Sequence, residues 1–180
     1  AQGPLRARDV VLATGAWAPR IADAVGLPWL RKTIQPGKGY SMTYSPPALT
    51  PKRPVILYEP SVCVTAWPSG YRLGSTMEFT GYDDSLNAQR LGALERGATQ
   101  FLHQPVGPQL REKWCGWRPM SRDDIPLIGR APGHVHLWMA VGHGMMGVSM
   151  SASTGQLLAD MIAGRTPCVN PAPFDPARFV

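Results

Sequence analysis

Two apolar runs, each passing straight through a glycine turn into a helix, stand near opposite ends of this 180-residue chain. Val10-Val11-Leu12-Ala13 leads into Thr14-Gly15 and a short helical pattern over Trp17–Val25. Pro19 is tolerable only in the first turn of that helix, and Gly26 and Pro28 end it. Val135–Val141 leads into Gly142–Gly147 and a helix over Val148–Ala163, with Leu157, Leu158, Met161 and Ile162 on its buried face and Gly164 as its C-cap. Apolar strands of this kind, without polar alternation, need helices on their faces. The two ends therefore read as one layered α/β unit.

Between them the pattern changes. Ile34–Tyr44, Val55–Tyr58, Val62–Trp67 and Tyr71–Phe79 read as strands. Pro68-Ser69-Gly70 forms a hairpin turn, so these strands make an antiparallel sheet. Asp83, Asp84 and Ser85 suit a helix N-cap, and Leu91, Leu94, Ala98 and Phe101 form one apolar stripe. Nineteen glycines and nineteen prolines fit many short elements joined by turns. Trp114–Arg118 and Ile125–Ile128 are short extended pieces, and the tail from Thr166 carries four prolines and reads as a surface strap or a partly disordered end. The expected fold class is α+β / α/β. An antiparallel-sheet substrate lobe with a covering helix (34–112) is inserted in a layered lobe made of 1–33 and 113–180.

Charge and cysteine content exclude several classes. The net charge is +6, but no basic run exceeds a pair such as Arg31-Lys32, which argues against nucleic acid. Anionic substrates and lipid headgroups are both compatible with it. Cys63, Cys115 and Cys168 form neither a disulfide framework nor a metal half-site, so a reducing cytoplasm is expected and no metal. No apolar run is long enough to span a bilayer. The chain begins with Ala1, and a buried strand follows almost at once, which leads to the expectation that preceding sequence has been lost.

Gly142-His143-Gly144-Met145-Met146-Gly147 matches GxGxxG between a strand and a helix. A dinucleotide fingerprint also needs a second strand ending in an acid about twenty residues on, whereas Asp160 lies inside the helix. Two other readings stand: a tight strand-to-helix turn, or a helix N-terminus that stabilises negative charge on a cofactor ring.

Four segments in order resemble the D-amino-acid oxidase-like family of FAD-dependent oxidoreductases, over about residues 9–168. They are Val11–Trp17, Gly37–Met42, Trp117–Gly129 with its Arg118-Pro119, and Gly142–Gly147 with Ser153–Leu158. The resemblance implies FAD as cofactor, with the flavin ring between a flavin lobe and a substrate lobe. It implies oxidative deamination of a D-amino acid, hydride leaving the substrate Cα for the flavin, to an imino acid and then an oxo acid. Thr14, Gly15, Lys38, Gly39, Gly142, His143, Gly144, Met145, Met146 and Gly147 become cofactor-binding candidates, and Arg118, Tyr40 and Tyr58 substrate-binding ones. The guanidinium of Arg118 suits a carboxylate, against the alternative of an arginine capping carbonyls at a strand end. Lys38 is open between a place over the flavin and the surface. Tyr40 and Tyr58 are open between pocket and packing, and Cys115 is expected to be buried and inert. His143 reads as a ring contact or hydrogen-bond donor, so no catalytic base is assigned.

Two departures from the family pattern matter. Asp124-Ile125 stands where Asp-Gly is usual, and the family's N-terminal βαβ unit has no counterpart here. The alternative is therefore a truncated, non-catalytic chain that folds without flavin. Homo-oligomerisation through exposed strand edges is expected, because Val10–Ala13 and Val135–Val141 would lack neighbours. The cytoplasm, with weak association at the inner membrane face, is the expected location.

Overall fold

The computed structural model describes residues 3–180. In chain order the strands are β1 (Val10–Leu12), β2 (Ile34–Tyr44), β3 (Val55–Leu57), β4 (Val62–Trp67), β5 (Gly70–Glu78), β6 (Leu110–Ser121), β7 (Leu127–Arg130) and β8 (Leu137–Val141). The helices are α1 (Ala18–Ile21), α2 (Leu30–Thr33), α3 (Ala88–Thr99) and α4 (Gly147–Ile162). Residues up to Pro36 pack with Arg118–Val180 as one unit, and Gly37–Trp117 form a second. The mixed fold expected from the sequence is present: an antiparallel sheet with a helix on it in one unit, and a layered α/β arrangement in the other.

The first unit is built on a sheet of order β1-β8-β7. β1 runs parallel to β8, with Val10 opposite Leu137 and Leu12 opposite Met139. β7 pairs antiparallel to β8. One face buries Leu12, Leu127, Met139 and Val141 against Ala18, Ala22, Leu27 and Leu30. The other face packs Ile128 and Trp138 against Leu157 and Leu158 of α4. Helices cover both faces, as a parallel pairing demands.

Three local expectations need correction. Only Leu12 of β1 is buried, while Val10 and Val11 are exposed, because β1 is an edge strand with β8 alone beside it among the described residues. β8 does not lack neighbours, since β1 and β7 flank it. It begins at Leu137, and Val135 is exposed. The helix expected over 17–25 is a 3-10 turn (Gly15–Trp17) followed by a single α-turn. Gly26, at φ +71°, unwinds it, with Leu27 N–H donating to Ala22 C=O. The tail is an ordered strap of two 3-10 turns, held where Arg178 donates to the Asp123 carboxylate at 2.8 Å and to Ile125 C=O at 2.7 Å.

The second unit is a five-stranded sheet of order β3-β4-β5-β2-β6. α3 lies on one face, and Leu91, Leu94 and Ala98 pack on Tyr40, Met42, Val62, Val64, Tyr71 and Leu73. The helix ends at Thr99, so Phe101 falls off the stripe and is exposed. Its N-cap is Asn87, whose side chain accepts from Gln89 and Arg90 N–H, rather than residues 83–85. Asp83 is otherwise engaged: its carboxylate accepts from Ser85 N–H, Ser85 Oγ and Lys38 Nζ. Among the described residues no helix is long and apolar enough to cross a membrane.

Leu94 is fully buried under α3. Leu94→Ala is expected to cost about 2–5 kcal/mol of stability, read by urea unfolding. A loss below about 1 kcal/mol would take α3 out of the core.

Candidate functional site

The C-terminal ends of the parallel pair β1 and β8 lie at the same edge of their sheet. Thr14-Gly15 follows one strand and Gly142–Gly147 the other, so the first unit brings two of the expected segments together. A cleft of about 470 Å³ opens there, lined by Val11, Gly15, Pro119, His143, Gly147 and Thr154 among others. Such crevices beyond strand ends are where open α/β sheets hold ligands.

The 142–147 turn is shaped by its glycines. Gly142 has φ +81°, and a Cβ there would lie 2.9 Å from Ile34 Cδ1 and 3.1 Å from Leu127 Cδ1. Gly144 has φ +54° and donates its N–H to Pro119 C=O at 2.9 Å. His143 forms an antiparallel bridge with Met120. The chain then enters the sixteen-residue α4, whose N-cap Met146 supplies no capping side chain. The amides of the first turn therefore face outward, with the partial positive charge of the helix behind them.

The residues present leave room in this cleft for a flat group with polar edges. Thr14 Oγ1 is buried and has no hydrogen-bond partner among the described residues. Gly15, at φ +54°, has open space where a Cβ would stand. They do not complete a dinucleotide fingerprint: Asp160, the acid in the sequence range of a ribose ligand, is buried inside α4 and held by Gln156 and Arg165. Among the described residues no cluster of His, Cys, Asp and Glu could hold a metal.

His143 is half-buried, and its Nε2 lies 3.1 Å from Thr154 Oγ1. Burial pushes its imidazole below the ordinary value of 6.5. Met145 and Met146 are exposed. Arg118 is half-buried on β6, one residue before Pro119 of the cleft wall.

The remaining candidates lie in the second unit. Lys38 is not a surface lysine. It is fully buried on β2, with Nζ 3.2 Å from Asp83 Oδ2, bonded to Ser85 C=O, and 3.7 Å from Glu78 Oε1. Burial alone would lower its ammonium, but Tyr40 and Asp83 hold it above its ordinary value. Gly39 pairs with Met77 on β5. The Tyr40 ring is buried in the core and its hydroxyl donates to Glu78. Tyr58 is 85% exposed, just past β3. Cys115 is half-buried rather than buried, with Sγ 3.5 Å from Asp84 C=O.

Sequence reading missed Ser151, Thr154 and Pro119 as cleft residues. Ser151 and Thr154 stand four and seven residues after Gly147, on one face of a helix. That spacing was a usable signal once the helix start was known.

Comparison with known proteins identifies the family. The FAD dependent oxidoreductase family (DAO) matches residues 1–161. Glycine oxidase of Pseudomonas putida is 32% identical over 177 residues, covering 98% of this chain and 47% of that protein. D-amino acid dehydrogenase of Chromohalobacter salexigens is 32% identical over 179 residues, covering 98% and 42%. The crystal structure of glycine oxidase from Geobacillus kaustophilus superposes with TM-score 0.82 at 26% identity, over 93% of this chain and 44% of that one. The chain belongs to the FAD-dependent oxidoreductase family whose members include amino-acid oxidases and dehydrogenases. It spans about half the length of the curated relatives it matches.

The lowered His143 predicts a pH effect of defined sign. As pH falls below about 6.5 the unfolded chain takes up this proton before the folded one does, so stability declines through that window and is full above it. His143→Asn is expected to flatten the decline below about pH 6.5 in thermal melts. Parallel wild-type and variant curves would show that burial does not hold the ring neutral.

Proposed function

We propose that this chain supplies the flavin-ring end and the substrate lobe of an FAD-dependent oxidoreductase that deaminates small D-amino acids. The observation that carries the reading is the uncapped start of α4 beside Gly15, at the rim of one apolar cleft. The unit of residues up to Pro36 and Arg118–Val180 takes the flavin role, and Gly37–Trp117 the substrate role. The names of two relatives, a glycine oxidase and a D-amino acid dehydrogenase, support a small amino acid as substrate.

When bound, the flavin supplies a two-electron acceptor for oxidation of the substrate's Cα–N bond. The chain's own residues do the rest. First-turn amides of α4 and the helix dipole favour negative charge at the turn. Gly15 leaves room for a flat ring to approach the backbone. Arg118 carries a permanent positive charge and a planar fork suited to a carboxylate. His143 stays neutral near pH 7 and is held by Thr154, so it serves as a contact. No protein base is needed when the substrate amine is already neutral.

The direct test is a visible absorption spectrum of the purified chain, followed by titration with FAD. Bound flavin, with its fluorescence quenched, is the expected result. A colourless chain that leaves FAD fluorescence unchanged would sink this reading and favour the non-catalytic alternative.

A second outcome concerns Arg118. In an active protein containing this chain, Arg118→Leu is expected to raise KM for amino acids by on the order of tenfold to a hundredfold, with kcat less affected. Unchanged kinetics would remove Arg118 from the substrate site.

A further inference from the structure

We propose that Thr154 is a positioning residue, whose hydrogen bond to His143 holds the Gly142–Gly147 turn in the form that receives the flavin ring. This rests on reading the turn as a flavin site, and it names what keeps the turn in shape.

The need for an anchor follows from the turn's own composition. Gly142 and Gly144 reach positive φ without strain, which makes the turn possible. For the same reason they do little to hold it there, since glycine adopts many other conformations as easily. Met145 and Met146 are exposed and pack little. α4 brings no capping side chain to its own start.

The described contacts that hold the turn are few. Gly144 N–H donates to Pro119 C=O, and His143 bridges Met120, both through backbone. Met146 N–H donates to His143 C=O, within the turn itself. The side-chain contact is His143 Nε2 to Thr154 Oγ1 at 3.1 Å. It ties the turn to a rigid point two helical turns further along α4.

The hydroxyl of Thr154 behaves unlike its neighbours. Ser151 Oγ donates to Val148 C=O at 2.8 Å, and Ser153 Oγ to Met150 C=O at 3.0 Å. That is the usual fate of a hydroxyl inside a helix. Thr154 is 8% exposed, and its hydroxyl is directed to His143 instead. Thr154 is buried and His143 half-buried, so breaking the pair leaves polar groups that regain water only in part. The bond thus converts a soft glycine turn into one with a defined set of outward-facing amides.

The test compares Thr154→Val, which keeps the shape and removes the hydroxyl, with Thr154→Ser, which keeps the hydroxyl. Hydrogen exchange of the 142–149 amides is measured on the chain without added cofactor, and the FAD dissociation constant by fluorescence quenching. Thr154→Val is expected to speed exchange across the turn about tenfold and to weaken FAD about tenfold, with Thr154→Ser within about twofold of the unsubstituted chain on both. Unchanged exchange in Thr154→Val overturns the anchor, as does a Thr154→Ser chain that behaves like Thr154→Val. Faster exchange with unchanged FAD affinity overturns the link to the flavin. If the unsubstituted chain takes up no FAD, the functional reading fails and the flavin half of this proposal fails with it, while the exchange result still decides the anchor.

Discussion

The parallel pairing of β1 with β8 is the constraint on which the candidate site depends. Parallel neighbours need a crossover connection, and here it takes up about two-thirds of the chain, residues 13–136. Pairing in this sense puts both strand C-termini at one edge. Two turns more than a hundred residues apart in sequence, at Gly15 and at Gly142–Gly147, thereby come to line one cleft. An antiparallel pairing of the same strands would have sent them to opposite edges.

The turn after β8 shows how a flexible segment acquires one shape. Both its glycines Gly142 and Gly144 take positive φ, and at Gly142 space demands glycine as well, since a Cβ there would press on Ile34 and Leu127. Backbone bonds to Pro119 and Met120 and the His143–Thr154 contact then limit it. In the second unit the buried Lys38 does a comparable job. Its ammonium joins Glu78 at the end of β5 to Asp83 and Ser85 in the loop before α3. Asp83 is thus spent in the loop, and Asn87 caps the helix.

Much of the fold was legible because the patterns are local. The amphipathic stripe Leu91, Leu94, Ala98 marked α3, and the Pro68-Ser69 turn marked the β4–β5 hairpin. The glycine run after Val141 marked the start of α4 to within one residue. What was not legible includes burial set from a distance. Burial of Val10 and Val11 depends on what lies beyond the edge of the sheet, and the burial of Lys38 on acceptors forty or more residues away. Neither is encoded in the neighbouring residues.

The candidate site divides the same way. Residue types, order and spacing by themselves determined the family likeness, the two strand–turn–helix ends and the antiparallel middle. They did so because periodicity and glycine placement act over a few residues. Tertiary structure alone decided that Gly15 faces His143 and Gly147 across one cleft and that Thr154 reaches the turn. It also decided that Tyr58 stands in solvent while Tyr40 is buried with its hydroxyl on Glu78. Those outcomes rest on strand order and long-range packing, which emerge only when distant segments share one core.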